Sequence, residues 1–188
     1  MGTLKIGSAS NRKGVTINPS KVLFNGNNVR YIKSGATEIW NCIKPLIPSM
    51  TSNNTPYGVV SASSYTDQAL VPHHAFDGVQ STGWSAKSQQ TNNYIQYVFD
   101  SIKYVENITI RTSYSVTSYN RNMKLYVLNQ NDEWVLDSEH NISFNNASIN
   151  IELKNKGYVK GIRLFFADTM FISAQWGNII SEVQAYGY

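Results

Sequence analysis

The sequence has little of what disulfide-bonded and nucleic-acid-binding proteins require. Among its 188 residues Cys42 is the only cysteine, so an intramolecular disulfide is excluded. Charged residues make up only 15% of the chain, and its Lys and Arg residues are scattered, with no run longer than Arg12-Lys13, although the net charge is +4. Nucleic-acid binding requires a clustered basic surface, so the sequence does not predict it.

Long apolar runs are missing as well. No window reaches the roughly 18 consecutive apolar residues that a membrane-spanning helix needs. The first residues, MGTLKIGSASNRKG, lack the apolar segment of a secretory signal. We therefore expect neither membrane insertion nor a signal peptide.

Local catalytic motifs are also missing. There is no HExxH, no GxSxG, no phosphate-binding glycine loop and no CxxC. His73 and His74 are adjacent, and a strand would turn them to opposite faces, which disfavours a shared metal site. A pair of glycosidase carboxylates drawn from distant loops stays open, but the sequence predicts no enzymatic activity.

Aromatic and β-branched residues are plentiful and are spaced as in strands. The chain holds 12 Tyr, 7 Phe and 4 Trp, and segments such as Asn107-Ile-Thr-Ile-Arg alternate apolar with polar residues. Turn-forming residues separate these segments, which predicts an all-β fold, an antiparallel β-sandwich of the jelly-roll type. The predicted strands are 59–63, 94–99, 105–111, 123–129, 134–136, 147–153, 159–166 and 179–186.

The N-terminal part has a different pattern. Short apolar stretches between Val15 and Trp40 are separated by turn signals, of which Asn25-Gly26 is the strongest hairpin signal. Pro45 and Pro48 then interrupt regular structure. We predict a small β-hairpin region for docking or oligomerisation over residues 1–46, followed by the β-sandwich over residues 47–188.

The loop from His74 to Trp84 carries the clearest candidate for a metal site. An Asp-Gly turn at Asp77 is followed by Thr82, so that a carboxylate, a hydroxyl and loop carbonyls can converge, and Glu182 is a distant acid that completes the set. Such hard oxygen ligands suit Ca²⁺, which takes six to eight of them. The alternative is an Asp-capped turn with Trp84 packed in the core and no metal.

A series of motifs beginning near residue 48 has a familiar order: PSMTSNNTPYGVVSASS, AFDG with TGW, IQYVFD, VENITIRT, KLYVLNQNDEWVLD, YVKGIRLFF and IISEVQAYG. This series resembles the discoidin domain, also called the coagulation factor 5/8 type C domain, among the galactose-binding-like carbohydrate-binding modules. The resemblance implies a jelly-roll sandwich that binds glycan through loops at one end. It also implies a structural calcium ion held by Asp77, Thr82 and Glu182.

Sugar sites combine flat aromatic faces with planar hydrogen-bonding side chains on loops. Residues 64–74, 112–121 and 168–178 supply them between the predicted strands. The resemblance leaves open whether Arg111 or Arg121 contacts the sugar. The candidate ligand-binding residues are His73, His74, Arg111, Tyr114, Tyr119, Asn120, Arg121 and Trp176.

The run KVLFNGNNVRYIKSGATEIWN resembles short β-hairpin elements of phage tail and baseplate proteins. Together with the sandwich, it predicts a non-catalytic component of a phage or phage-like particle that binds cell-surface polysaccharide. The expected partners are this glycan, other virion or tail proteins and further copies of the chain, because several copies raise avidity. The expected location is the virion. The alternatives are a structural virion protein and an accessory carbohydrate-binding module of a secreted glycoside hydrolase.

Overall fold

The computed structural model describes residues 23–24, 27–28, 43–87, 90–113, 119–168, 171–173 and 176–188. Only the backbone is described for residues 23–24, 27–28, 119, 171–173 and 176–177. The chain divides into two compact units, Met1–Ile43 and Lys44–Tyr188.

The first unit contains the hairpin that was predicted around Asn25-Gly26. Strand β1 (Leu23–Phe24) pairs antiparallel with β2 (Asn27–Asn28), and Phe24 lies opposite Asn27. Asn25 and Gly26, which the sequence predicts to form the turn, lie outside the described residues. The other residues of the predicted hairpin region up to residue 42 lie outside the described residues.

The second unit is built from antiparallel strands, as the alternating pattern predicted. Two short 3₁₀ helices, Gln68–Leu70 and Pro72–Phe76, follow the second of these strands. No helix in the described ranges has the length and apolar character needed to cross a membrane. The strands are β3 (Lys44–Pro45), β4 (Gly58–Ala62), β5 (Asn93–Ser113), β6 (Tyr119–Leu128), β7 (Trp134–Phe144), β8 (Ser148–Phe166), β9 (Phe171–Ser173), β10 (Trp176–Gly177) and β11 (Ile179–Gly187).

The second unit begins at Lys44, slightly before the predicted boundary between residues 46 and 47. Pro45 pairs with Tyr186 of β11, and this contact places β3 at the end of the strand order β3–β11–β5–β8–β6–β7. A proline is tolerated at such an edge because it has no N–H to donate to a further strand.

Strands β5 and β8 each join two segments that were predicted as separate strands. The first half of β5 pairs with β4 and with the second half of β8, whereas the second half of β5 pairs with β11 and with the first half of β8. The register shifts between Val98 and Lys103, where the polar residues Asp100 and Ser101 interrupt the alternation. The two long strands therefore continue from one layer of the sandwich into the other, and the predicted antiparallel β-sandwich is confirmed.

The core lies between the two layers. The burial of β5 alternates along its first half, so that Ile95 and Tyr97 are fully buried while Tyr94 and Gln96 lie on the outer face. The hydroxyl of Tyr97 donates to the carbonyl of Tyr57 over 3.0 Å, which satisfies its one polar atom. Trp84 is also fully buried, as predicted from its motif.

Candidate functional site

The turn after the second 3₁₀ helix is organised by Asp77. Its Oδ1 accepts a hydrogen bond of 2.8 Å from the N–H of Val79, which closes an Asx turn. Gly78 has a φ of +78°, a conformation that glycine adopts without a steric penalty. The Asp-Gly pair is therefore required by the backbone path of this turn.

Glu182 reaches the same turn from β11. Its Oε2 accepts a hydrogen bond of 2.9 Å from the N–H of Gly78. The Trp84 N–H donates to the carbonyl of Ile180 over 2.8 Å, and this bond anchors the end of the loop to β11. We call the oxygen-bearing residues Asp77, Val79, Thr82 and Glu182 the Asp77 turn cluster.

The Asp77 turn cluster has more close oxygen pairs than protons to join them. Thr82 Oγ1 lies 2.8 Å from Asp77 Oδ2, 3.0 Å from Asp77 Oδ1 and 2.7 Å from the carbonyl oxygen of Val79. A hydroxyl has one proton and can donate it to one acceptor at a time. The two remaining oxygen pairs are repulsive unless a cation balances them, so the residues present fit a hard cation such as Ca²⁺.

The electrostatics of the cluster favour the same conclusion. Burial, with a smaller contribution from Asp77, raises the pKa of Glu182 to about 7 against the opposing hydrogen bond from Gly78 and the charge of Arg111. Burying a carboxylate without a matching positive charge is costly. Across the described ranges no three His, Cys, Asp or Glu side chains come together as a metal site. An ion here would therefore also use the hydroxyl and carbonyl oxygens.

The loops predicted to bind glycan start or end at one end of the sandwich. Ser113 at the end of β5 lies opposite Ile179 at the start of β11. In the other layer, Asn93 at the start of β5 lies opposite Phe166 at the end of β8. Thr112 Oγ1 donates to the carbonyl of Ser143 near the end of β7 over 3.0 Å and joins the layers there. We call this the loop end.

The two histidines lie in the 3₁₀ helix Pro72–Phe76, beside the Asp77 turn cluster. Their ring centroids are 4.6 Å apart in an edge-to-face arrangement, and His74 Nδ1 forms a 2.9 Å hydrogen bond with the carbonyl oxygen of Ala69. Burial and His74 lower the pKa of His73, and Asp77 opposes them. A helix, rather than the strand considered from the sequence, therefore holds these rings together.

The other candidate sugar-binding residues are distributed over both layers. Arg111 is opposite Glu182 in the pairing of β5 with β11. Asn120 and Arg121 lie at the start of β6, where the Arg121 side chain donates to the carbonyl of Asn120 over 3.2 Å. Tyr114 lies outside the described residues, and only the backbone is described for Tyr119 on β6 and Trp176 on β10. The role of all these residues in sugar binding stays a prediction.

Two buried asparagines near the loop end were not identified as site candidates from the sequence. Among the residues that the structure describes, Asn93 Oδ1 and both side-chain polar atoms of Asn178 are buried and find no hydrogen-bond partner. Buried amides of this kind are normally satisfied by ordered water or by another polar group. Their position at the edge of a predicted strand is readable from the sequence, but the burial of these amides depends on tertiary packing.

Solved structures similar to this one include three carbohydrate-binding modules. A family 32 module of NanJ from Clostridium perfringens, in complex with galactose, has a TM-score of 0.56 and 19% identity, with coverage of 69% of this chain and 93% of that module. A second C. perfringens module, in complex with GalNAc-β-1,3-galactose, has a TM-score of 0.56 and 14% identity, with coverage of 68% and 94%.

The third is chitosan-binding module 1 of a chitosanase/glucanase from Paenibacillus sp. IK-5. Its TM-score is 0.60 and its identity is 17%, with coverage of 77% of this chain and 99% of the module. At these identities the similarity shows the fold.

The comparison with curated proteins gives no match. The family model of the F5/8 type C domain matches residues 59–180, from β4 through the Asp77 turn cluster to the first residues of β11. The chain therefore belongs to the F5/8 type C domain family.

Proposed function

We propose that the second unit is a non-catalytic module that binds glycan at its loop end. The observation that carries this proposal is that the strand ends which flank the predicted glycan loops are paired at one end of an F5/8 type C sandwich. The similar solved modules bind galactose or GalNAc-β-1,3-galactose, or are chitosan-binding, which supports glycan as the ligand class.

We propose that Ca²⁺ orders the turn beside this end. Asp77, Thr82, Glu182 and the carbonyl oxygen of Val79 would hold the ion, as their close oxygen pairs support. The ion would add positive charge to that of Arg111, which lies opposite Glu182. Through Glu182 it would join the loop to β11 and so keep the neighbouring His73 and His74 in place.

For the whole chain we propose a component of a phage or phage-like particle that recognises cell-surface polysaccharide. The support is the resemblance of the N-terminal run to tail and baseplate hairpins, together with the attached sandwich. The N-terminal region would bind other virion proteins or further copies of the chain. Several copies on one particle would compensate for a weak affinity at each site.

An accessory module of a secreted glycoside hydrolase is the second candidate. It is favoured by the origin of the similar Paenibacillus module, which derives from a chitosanase/glucanase. The two candidates differ in what the N-terminal region binds. Co-purification with tail proteins supports the particle, whereas a catalytic domain in the same open reading frame supports the hydrolase.

The test of glycan binding compares the full chain with its Trp176→Ala variant on a glycan array and on isolated cell walls, with calcium present. We expect saturable binding that free sugar competes away and that the variant loses. The matched control is Tyr158→Ala, which removes an exposed aromatic ring from the middle of β8, where Tyr158 pairs with Tyr104. A folded protein that binds no glycan would contradict the proposal and favour a structural virion protein.

A further inference from the structure

A second cluster of aromatic and polar residues lies on the outer face of the sandwich layer formed by β4, β5, β8, β6 and β7. Directly paired residues share one face of a sheet, and their alternate neighbours, such as Ile95 and Leu164, are buried in the core. In this register Tyr94 is opposite Phe165, and Arg163 is opposite both Gln96 and Tyr126. We call the following half-buried residues the arginine face: Tyr94, Gln96, Tyr126, Trp134, Arg163 and Phe165.

Two aromatic rings hold the guanidinium of Arg163. Its central carbon lies 4.1 Å from the centroid of the Trp134 ring and 4.7 Å from that of the Tyr94 ring. The Trp134 indole lies over Gly161, where a Cβ would be in contact with Trp134 Cη2 at 3.4 Å and would clash with the carbonyl oxygen of Tyr97 at 2.7 Å. The guanidinium is therefore oriented before any ligand arrives, which lowers the entropy cost of binding.

The hydrogen bonds of Arg163 leave one edge of the guanidinium available. Its Nε donates to Gln96 Oε1 over 2.8 Å, and no other hydrogen bond or ion pair to it occurs in the ranges that the structure describes. Burial lowers the pKa of Arg163, yet an arginine in a protein stays protonated.

Two neighbouring lysines differ from Arg163 because each has a carboxylate partner. Lys124 lies 3.1 Å from Glu139, and Lys160 lies 2.7 Å from Asp132. Of these three cations, Arg163 is the one to which the described residues offer no carboxylate partner.

We propose that the arginine face binds a polysaccharide that contains uronic acid, at a position separate from the loop end. The two terminal nitrogens of Arg163 would donate a bidentate pair of hydrogen bonds to the sugar carboxylate, the geometry for which a guanidinium is suited and an ammonium is not. The rings of Tyr126 and Phe165 beside it, with centroids 6.1 Å apart, would contact the C–H surface of the sugar. The ligand brings the negative charge that the face lacks.

The test measures the affinity of the full chain for polygalacturonate and, in parallel, for neutral galactan, at fixed ionic strength. We expect polygalacturonate to bind more tightly than neutral galactan. Arg163→Lys should weaken polygalacturonate binding about tenfold or more, because it keeps the positive charge but loses the two parallel N–H donors of the guanidinium. The matched control is Lys124→Gln, which removes a positive charge from the same layer at a residue that already has a carboxylate partner. It should change the affinity little.

A second variant keeps the result interpretable if Arg163→Lys alters folding. Trp134→Phe retains an aromatic ring and should weaken polygalacturonate binding less than Arg163→Lys, with melting curves recorded for both variants. Loss of binding in Lys124→Gln, with binding retained in the charge-conserving Arg163→Lys, would reduce the effect to net charge and overturn the proposal. So would the absence of binding by folded wild type.

Two further results would assign the ligand or the face differently. Loss of polygalacturonate binding in Trp176→Ala, with retention in Arg163→Lys, would move the ligand to the loop end. A wild-type dimer in light scattering that Arg163→Lys dissociates would identify the face as a protein interface. Both results would overturn the proposal for the arginine face, and neither decides whether the loop end binds neutral glycan.

Discussion

The Asp77 turn cluster and the arginine face carry uncompensated charge of opposite sign. In the turn cluster two carboxylates, a hydroxyl and a carbonyl meet, and burial raises the pKa of Glu182 to about 7. On the arginine face a guanidinium lies between two rings, and the described residues give it no carboxylate. A partly buried charge needs a partner of opposite sign. The first cluster therefore suits a cation and the second an anion.

The two clusters also differ in how the chain assembles them. Three of the four residues of the turn cluster come from one short turn, and only Glu182 arrives from elsewhere. The arginine face is assembled by strand register alone, from residues on β5, β6, β7 and β8. The geometry of the turn cluster can therefore change locally, for example on loss of a bound ion, without a change in strand pairing. The arginine face depends on the pairing of the whole layer.

The largest effect is expected from calcium at the turn cluster. A concentration about 100-fold above the dissociation constant should raise the free energy of unfolding by about 2.7 kcal/mol, because the unfolded chain does not form the site. Chemical denaturation with calcium and with EDTA measures this difference. Asp77→Asn should abolish it, whereas Asp67→Asn should retain it, since Asp67 caps the other 3₁₀ helix. Equal stability of wild type in calcium and in EDTA would contradict the calcium proposal.

A smaller effect should follow from crowding the arginine face. Gly161→Ala places a Cβ 2.7 Å from the carbonyl oxygen of Tyr97 and against Trp134, so we expect a loss of about 2 kcal/mol in unfolding free energy. The tryptophan fluorescence should change as the indole is displaced. Gly157→Ala on the same strand is the control, because the nearest atom, the carbonyl oxygen of Asn155, is 3.8 Å away. Identical denaturation curves for the two variants would refute the tight packing at Gly161.

The smallest effect concerns the titration of Glu182 in EDTA. Its pKa is raised to about 7 in the folded state, so its contribution to stability is complete below the unfolded pKa and is lost as the pH rises through about 7. Glu182→Gln lacks this titration. Between about pH 5 and pH 8 wild type should therefore lose roughly 1 kcal/mol relative to the variant, after allowance for solvent screening. A difference that is constant with pH, or that grows in favour of wild type, would contradict the raised pKa.

The strands were predictable because alternation is a local property of the sequence. The segments around residues 94–99 and 105–111 were predicted separately, since Asp100 and Ser101 between them have the polarity of a turn. They form one strand because β5 finds partners in both layers, and that depends on residues far along the chain. The position of His73 and His74 in a 3₁₀ helix was not predictable either, because so short a helix has no repeating pattern of apolar residues by which it can be recognised.

The candidate sites were predictable to different extents. Asp77 and Thr82 lie within one loop, and Glu182 was connected to them through the family resemblance and the need for a further acid. Nothing in the sequence connects Arg163 with Tyr94 or Trp134, because only strand register brings them together. The same holds for Asn178, whose amide is unsatisfied only because of how the sandwich packs around it.

The sequence by itself determined the all-β character, the pairing of Leu23–Phe24 with Asn27–Asn28, the burial of Trp84 and the position of the Asp-Gly turn. Each of these follows from side-chain chemistry and backbone preferences over a few neighbouring residues. Tertiary structure alone decided that β5 and β8 span both layers and that Arg163 meets two aromatic rings without a carboxylate. The physical reason is that charge balance and burial depend on the residues that surround a group in space, and most of these are distant in the sequence.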